Sequence, residues 1–135
     1  MKLDAFAVGE GIEVEYGTPN NGRIKINLYD ASGVEIILHF NMRYESRTLV
    51  LNTYVGNWGP EERFTAVDFT PGRLAKVKLV ACDSGINAYF DGNFVTRYNY
   101  RHGHTASSIK SVEWVSQFQR TKLESIKVLY DEYCN

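Results

Sequence analysis

No stretch of this chain reaches the roughly 18 consecutive apolar residues that a membrane-spanning helix needs, so membrane insertion is not expected. Cysteine is nearly absent, with only Cys82 and Cys134 in 135 residues. Two cysteines do not make the disulfide framework of a small stapled domain. Cys82 sits in an apolar-rich run and Cys134 beside the last residue, and both are expected to be plain thiols. Neither sign of charge is in excess: 15 basic residues stand against 16 acidic ones, for a formal net charge of −1. That balance gives no electrostatic reason for nucleic acid or an anionic membrane as partner. The opening Met1–Glu10 carries a single lysine and too short an apolar run for a secretory signal peptide. The expectation is a cytoplasmic protein, with export lacking a signal peptide left open. Helical periodicity is also missing, since no segment keeps a 3.6-residue apolar repeat over ten or more residues. The nearest, Gln117–Ser125, is too polar for a core-facing helix and reads as a turn.

What the chain has is the pattern of strand after strand. Turn-forming clusters recur about every 8 to 12 residues, among them Gly17–Gly22, Asp30–Gly33, Gly56-Asn57, Thr70–Gly72, Asp83–Gly85, Asp91–Asn93 and Arg101–His104. Glycine reaches positive φ, and Asn and Asp close turns with their own side chains. Between the turns apolar residues alternate with polar ones. Ile24, Ile26 and Leu28 oppose Arg23, Lys25 and Asn27; Val77 and Leu79 oppose Lys76 and Lys78; Ile126 and Val128 flank Lys127. Period two with one apolar face marks half-buried strands. Asp91-Gly92 between two β-rich runs predicts a tight hairpin. Phe40, Phe69, Phe90, Phe94 and Trp114 are expected in the core. The composition, 44% hydrophobic and 23% charged, is that of an ordinary globular chain, and 135 residues suffice for one core without staples. The expected organisation is a single domain over residues 1–135, all-β, in a sandwich or barrel.

The chemistry concentrates between His39 and Arg63. In Leu38–Arg43, strand alternation sets His39, Asn41 and Arg43 on one face and Leu38, Phe40 and Met42 on the other. A solvent-facing strand usually carries Lys, Glu and Thr, not three different hydrogen-bonding groups backed by a wholly apolar face. The next strand, within Arg47–Tyr54, can pair with the first and present Asn52 beside them. Trp58 follows in a turn next to Gly59 and Pro60, a poor place for a core residue, and Glu61 and Arg63 then share a face. A neutral sugar needs this mixture. Its hydroxyls both donate and accept, so amide, carboxylate and guanidinium groups suit them. The C–H patch on one side of a pyranose packs on an aromatic plane. In galactose the axial 4-hydroxyl stands beside that patch, and a site built to bond it rejects the 4-epimer by leaving polar groups unpaired.

His39-x-Asn41-x-Arg43, then Asn52, then Trp58-x-x-Glu61-x-Arg63 resembles the carbohydrate-recognition signature of the galectins. Every signature position matches in order, and the Asn27-Leu28 segment, Phe90-Asp91-Gly92 and Ser107-Ser108-Ile109 extend the likeness along the chain. The resemblance implies a jelly-roll sandwich of two antiparallel sheets, five and six strands, with a sugar groove on the six-stranded face and neither metal nor cofactor. It implies that His39, Asn41 and Arg43 hold the galactose 4-hydroxyl, that Asn52 and Glu61 hold the 6-hydroxyl, that Trp58 stacks under the ring, and that Arg43, Glu61 and Arg63 meet a second sugar. It implies a β-galactoside-binding lectin whose partners are glycans on glycoproteins or glycolipids, working as a homodimer joined near its N- and C-terminal strands. The connections Tyr44–Ser46 and Thr53–Asn57 are shorter than in many relatives and lie beside the second-sugar region.

Two other classes compete. A glycoside hydrolase on a jelly roll needs two carboxylates about 5 to 9.5 Å apart across the scissile bond, and Glu61 and Glu62 are adjacent and point to opposite faces. A protein-interaction domain that has lost its sugar site would be expected to show replaced signature positions, and none is replaced. His102-Gly103-His104 could form half of a metal site, but no Cys, Asp or Glu lies near it in sequence. Asp30, Asp68, Asp83 and Asp91 are too scattered for a calcium loop.

Overall fold

The computed structural model describes residues Met1–Cys134. Eleven strands run β1 (Gly11–Gly17), β2 (Arg23–Tyr29), β3 (Ile36–Arg43), β4 (Thr48–Val55), β5 (Asn57–Trp58), β6 (Glu62–Phe64), β7 (Leu74–Ala81), β8 (Gly85–Phe90), β9 (Asn93–Asn99), β10 (Ser111–Gln117) and β11 (Leu123–Leu129). One sheet has five strands in the order β11-β1-β7-β8-β9. The other has the order β10-β2-β3-β4-β5, with β6 also pairing β4. Because β5 and β6 are short and share the edge of β4, this six-stranded sheet is five strands wide. Every pairing is antiparallel, and the arrangement is the expected jelly-roll sandwich.

The alternation read from the sequence decides which side chains fill the space between the sheets. Ile12, Val14, Val77, Leu79, Ile86 and Ala88 come from one side; Ile24, Ile26, Leu28, Leu38, Phe40, Met42, Leu49 and Leu51 come from the other, all buried. The Tyr16, Tyr44 and Thr53 hydroxyls in this core are paired, as burial demands. The Tyr16 and Tyr44 hydroxyls meet at 2.9 Å, and the Thr53 hydroxyl donates to the Ile37 carbonyl at 2.9 Å. Asp91 and Gly92 both take positive φ, 49° and 83°, which is the primed two-residue turn that matches strand twist.

Three expectations need correction. Cys82 and Cys134 are not thiols but a disulfide, with Cα atoms 5.5 Å apart and 52 residues between them in sequence. The residues after β11 fold back over β7, where the Glu132 amide donates to the Gly9 carbonyl and Lys78 pairs with Glu132 at 2.9 Å. Nothing in the local sequence announces that return. Phe94 is 55% exposed. A register shift between Ala88 and Tyr89 pairs Phe94 with Tyr89 on the outer face, where the rings meet edge to face at 5.6 Å. Trp114 faces inward but lies on the edge strand β10, so it is only partly covered by the core. Phe40, Phe69 and Phe90 are buried as expected.

Candidate functional site

Antiparallel register lines up the polar residues of the six-stranded sheet in rows across its outer face. Glu113, Asn27, His39 and Asn52 form one row; Lys25, Asn41, Val50 and Arg63 form the next; Arg23 pairs with Arg43 in a third. These rows floor a groove of about 450 Å³ lined by Arg23, Lys25, His39, Asn41, Arg43, Val50, Asn52, Trp58, Gly59 and Glu61. Six of the seven signature residues therefore meet in one groove. The seventh, Arg63, stands behind Glu61, bonding its Oε1 through Nε at 3.1 Å and Nη2 at 2.6 Å. The other Glu61 oxygen faces Arg43 Nη2 at 3.7 Å. Glu61 is thus held between two guanidinium groups.

Trp58 forms the wall. It pairs with Tyr54 across β4 and β5, leans on that ring at 5.1 Å and on the His39 imidazole at 4.7 Å, and remains 50% exposed. An indole braced on two sides yet open to solvent is a stacking platform rather than a core residue.

The protonation of His39 follows from its neighbours. The Glu113 carboxylate can only accept, so the Asn27 amide turns its NH₂ toward it, at 3.0 Å. The Asn27 oxygen then faces His39 Nδ1 at 2.6 Å, and Nδ1 must carry the proton. Burial, followed by the positive charges of Lys25 and Arg43, lowers the His39 pKa to about 4, so the ring is neutral at physiological pH. His39 Nε2 is left as a lone-pair acceptor. Lys25 is likewise held below its ordinary value, by burial first and then by Arg23 and Arg43.

Two buried polar atoms of the groove residues lack any partner among the described residues: Asn41 Oδ1 and Arg43 Nε. With His39 Nε2 they offer two acceptors and a donor from one strand. Such orphans cost stability unless a ligand or water meets them, and a hydroxyl can donate to one of the acceptors while accepting from the donor.

Sequence reading missed the supports of this site. Asn27 and Glu113 set the His39 tautomer, and Arg101 bonds Asn52 and Glu62 from behind. Asn27 carried a visible signal, an amide on the same strand face as the signature, whereas Glu113 and Arg101 are brought in by topology alone. The fold also gathers acids that sequence proximity did not. Glu35 meets His104 Nε2 at 3.1 Å across 69 residues, and Asp30 lies with them. A hydrogen bond between the imidazole and the carboxylate accounts for this contact, and His102 has no part in it.

Known proteins share the family and the fold. The galactoside-binding lectin family model matches residues 3–127. Mouse galectin-7 is 34% identical over 83 residues, covering 59% of this chain and 61% of that protein. Rat galectin-7 is 30% identical over 111 residues, covering 79% and 77%. The solved tetrameric galectin from the sponge Cinachyrella superposes with a TM-score of 0.87 at 28% identity, over 96% of this chain and 97% of that one. The aligned stretch thus spans under two thirds of mouse galectin-7 and more of the other two. With the family model covering nearly its whole length, the chain belongs to the galectins, the galactoside-binding lectin family.

Proposed function

We propose that the groove binds β-galactosides, without metal and without catalysis. The observation that carries this is the trio on β3. His39 Nε2 and Asn41 Oδ1 are acceptors and Arg43 Nε is a donor, on three residues that line one groove with Trp58. An axial hydroxyl above a ring stacked on Trp58 would donate its one proton to His39 Nε2 or Asn41 Oδ1 and accept from Arg43. In this reading the 4-hydroxyl sits on His39, Asn41 and Arg43, and the 6-hydroxyl sits between Asn52 and Glu61. Arg43, Glu61 and Arg63 face the next sugar. Among the described residues Glu61 is the one carboxylate lining the groove, and Glu62 is turned away into a bond with Arg101, which supports binding rather than hydrolysis.

A shallow open groove with one such site suits an affinity between μM and mM, about −4 to −8 kcal/mol. Weak single sites gain avidity by pairing, and a homodimer is the assembly this reading favours. Synthesis in the cytoplasm with export lacking a signal peptide remains the proposed localisation. The Cys82–Cys134 bridge supports action after export, because disulfides persist in oxidising surroundings. The test is calorimetric titration with lactose in the presence and absence of EDTA. Equal binding in both supports the reading, while binding lost on chelation and restored by calcium refutes it. Incubation with a chromogenic β-galactoside should release no product.

A further inference from the structure

Asn52 and Glu61, set by the proposed function on either side of the 6-hydroxyl, come from different stretches of chain. The connection between them swings out to Trp58 and back, so their spacing needs a fixed support. That support crosses from the other sheet. Arg101, just after β9, donates from Nη1 to Asn52 Oδ1 at 3.0 Å and from Nη2 to Glu62 Oε2 at 3.2 Å. Its guanidinium lies 5.0 Å from the centre of the Tyr98 ring, and Tyr98 is fully buried. The fork is therefore anchored on the core. Glu62 pairs with Leu51 in register, next to Asn52 on β4 and next to Glu61 in sequence. Gly59 leaves room for the fork: a Cβ there would lie 2.8 Å from Arg101 Nη1.

The bonds also fix what Asn52 shows the groove. Its side chain is almost wholly buried, at 3% exposure. Its oxygen accepts from the Thr53 amide at 2.8 Å and from Arg101, and its nitrogen donates to the Gly59 carbonyl at 2.8 Å. Both oxygen lone pairs are used, and one N–H remains. Arg101 is absent from the groove lining, so it acts through Asn52 and Glu62.

We propose that Arg101 is a positioning residue for sugar recognition: with Glu62 it clamps β4 to β6, keeps Asn52 a pure donor toward the groove, and so makes the subsite select a hydroxyl that accepts from Asn52 and donates to Glu61. The sugar in this statement rests on the function proposed above; the clamp itself does not. The test compares wild type with Arg101→Met, which keeps the apolar stem over Tyr98, and with Glu62→Gln and the double variant. Each is titrated with methyl β-galactoside and with its 6-deoxy analogue, methyl β-fucoside. The galactoside should weaken about tenfold in Arg101→Met, the 6-deoxy analogue less than twofold, and the double variant no more than Arg101→Met alone, since both act through one clamp. Arg101→Lys, which restores one donor, should recover part of the discrimination. Amide exchange over residues 57–63, measured without ligand, should speed up in Arg101→Met. Equal losses for both ligands, no loss for either, or unchanged exchange would overturn the clamp. Wild type that bound neither ligand would remove the sugar reading, and the exchange measurement would then decide the clamp by itself.

Discussion

His39 owes its usefulness to being kept uncharged. Asn27, itself turned by Glu113, accepts a hydrogen bond from Nδ1–H, and burial with two nearby cations lowers the pKa to about 4. Ligand recognition through Nε2 needs the lone pair, so protonation competes with binding. Affinity for lactose should therefore be flat from pH 8 to about 5 and fall as pH drops through about 4. Stability has its own window. An unfolded histidine titrates near 6.5, and between that value and about 4 the unfolded chain holds the extra proton, so acidification across this range costs folding free energy through His39. Long-range ¹H–¹⁵N spectra of the imidazole check both points. The Nδ1–H form should dominate at neutral pH with a midpoint near 4, and an Nε2–H form or a midpoint near 6.5 would contradict the relay. At Trp58 the expectation is simpler. The ring is exposed, and its own contacts are with His39 and Tyr54 on the groove side. Trp58→Ala should cost a few kcal/mol of binding with little change in melting temperature, and Trp58→Phe should bind weakly. Retention of the Ala variant on an asialofetuin column would refute the stacking role.

Among the elements, β3 and β4 were legible in the sequence because alternation alone decides their two faces. Once Leu38, Phe40 and Met42 are assigned to the core, His39, Asn41 and Arg43 must face the groove. The supports were not legible, since Arg101 reaches Asn52 across 49 residues from the opposite sheet. Phe94 escaped for a related reason: a register shift in the β8–β9 pair, invisible to a pattern of period two, turns it outward. The C-terminal return was hidden too, and it carries its own prediction. Residues 131–134 are tied down by the Cys82–Cys134 bridge, the Glu132–Gly9 backbone bond, the Lys78–Glu132 pair and the bond from Arg97 to the Cys134 carbonyl at 3.2 Å. Closing a loop of 52 residues restrains the unfolded chain by about 2–4 kcal/mol. Cys134→Ser should therefore lower the denaturant midpoint by a comparable free energy while leaving lactose affinity unchanged, because the bridge lies on the five-stranded sheet, away from the groove. A variant that lost binding at full stability would show the tail coupled to the site. The short turns beside the groove suggest a separate outcome. The Tyr44–Arg47 turn and the single residue Gly56 between β4 and β5 would provide little chain around a second sugar, while Glu61 and Arg63 stay locked together. β-Galactosyl disaccharides differing only in the reducing-side sugar, fucose included, should bind within about threefold of one another, roughly 0.7 kcal/mol. A preference above about a hundredfold for N-acetyllactosamine would end that idea.

At the scale of the whole molecule, the proposed homodimer needs a free strand edge on which two copies could join. The sequence suggests an interface near the N- and C-terminal strands, which pair with each other as β1 and β11, and of the two only β11 stands at the edge of the sheet. β1 lies inside its sheet between β11 and β7, with no edge to offer. The first residues instead run along β10: Leu3 donates to the Lys110 carbonyl at 2.7 Å, Val112 donates to the Met1 carbonyl at 2.9 Å, and Lys2 bridges Ser111. That cover blunts the β10 edge against pairing. Among the described residues β11 has no strand on its outer edge, and Tyr130 and Tyr133 are exposed just beyond it. Antiparallel pairing of β11 with its copy about a two-fold axis would join two five-stranded sheets and leave both grooves free. Two sites of modest affinity on one particle would then cross-link cells that a single site could not. The expectation is a species of twice 15.4 kDa in sedimentation velocity, haemagglutination that lactose reverses, and amide exchange in Leu123–Leu129 that slows as protein concentration rises. Slowing confined to Ser111–Gln117 would move the interface to β10. A single 15.4 kDa species at high concentration, with no agglutination, would mean that the chain works as a monomer and that avidity must come from clustering of the glycan instead.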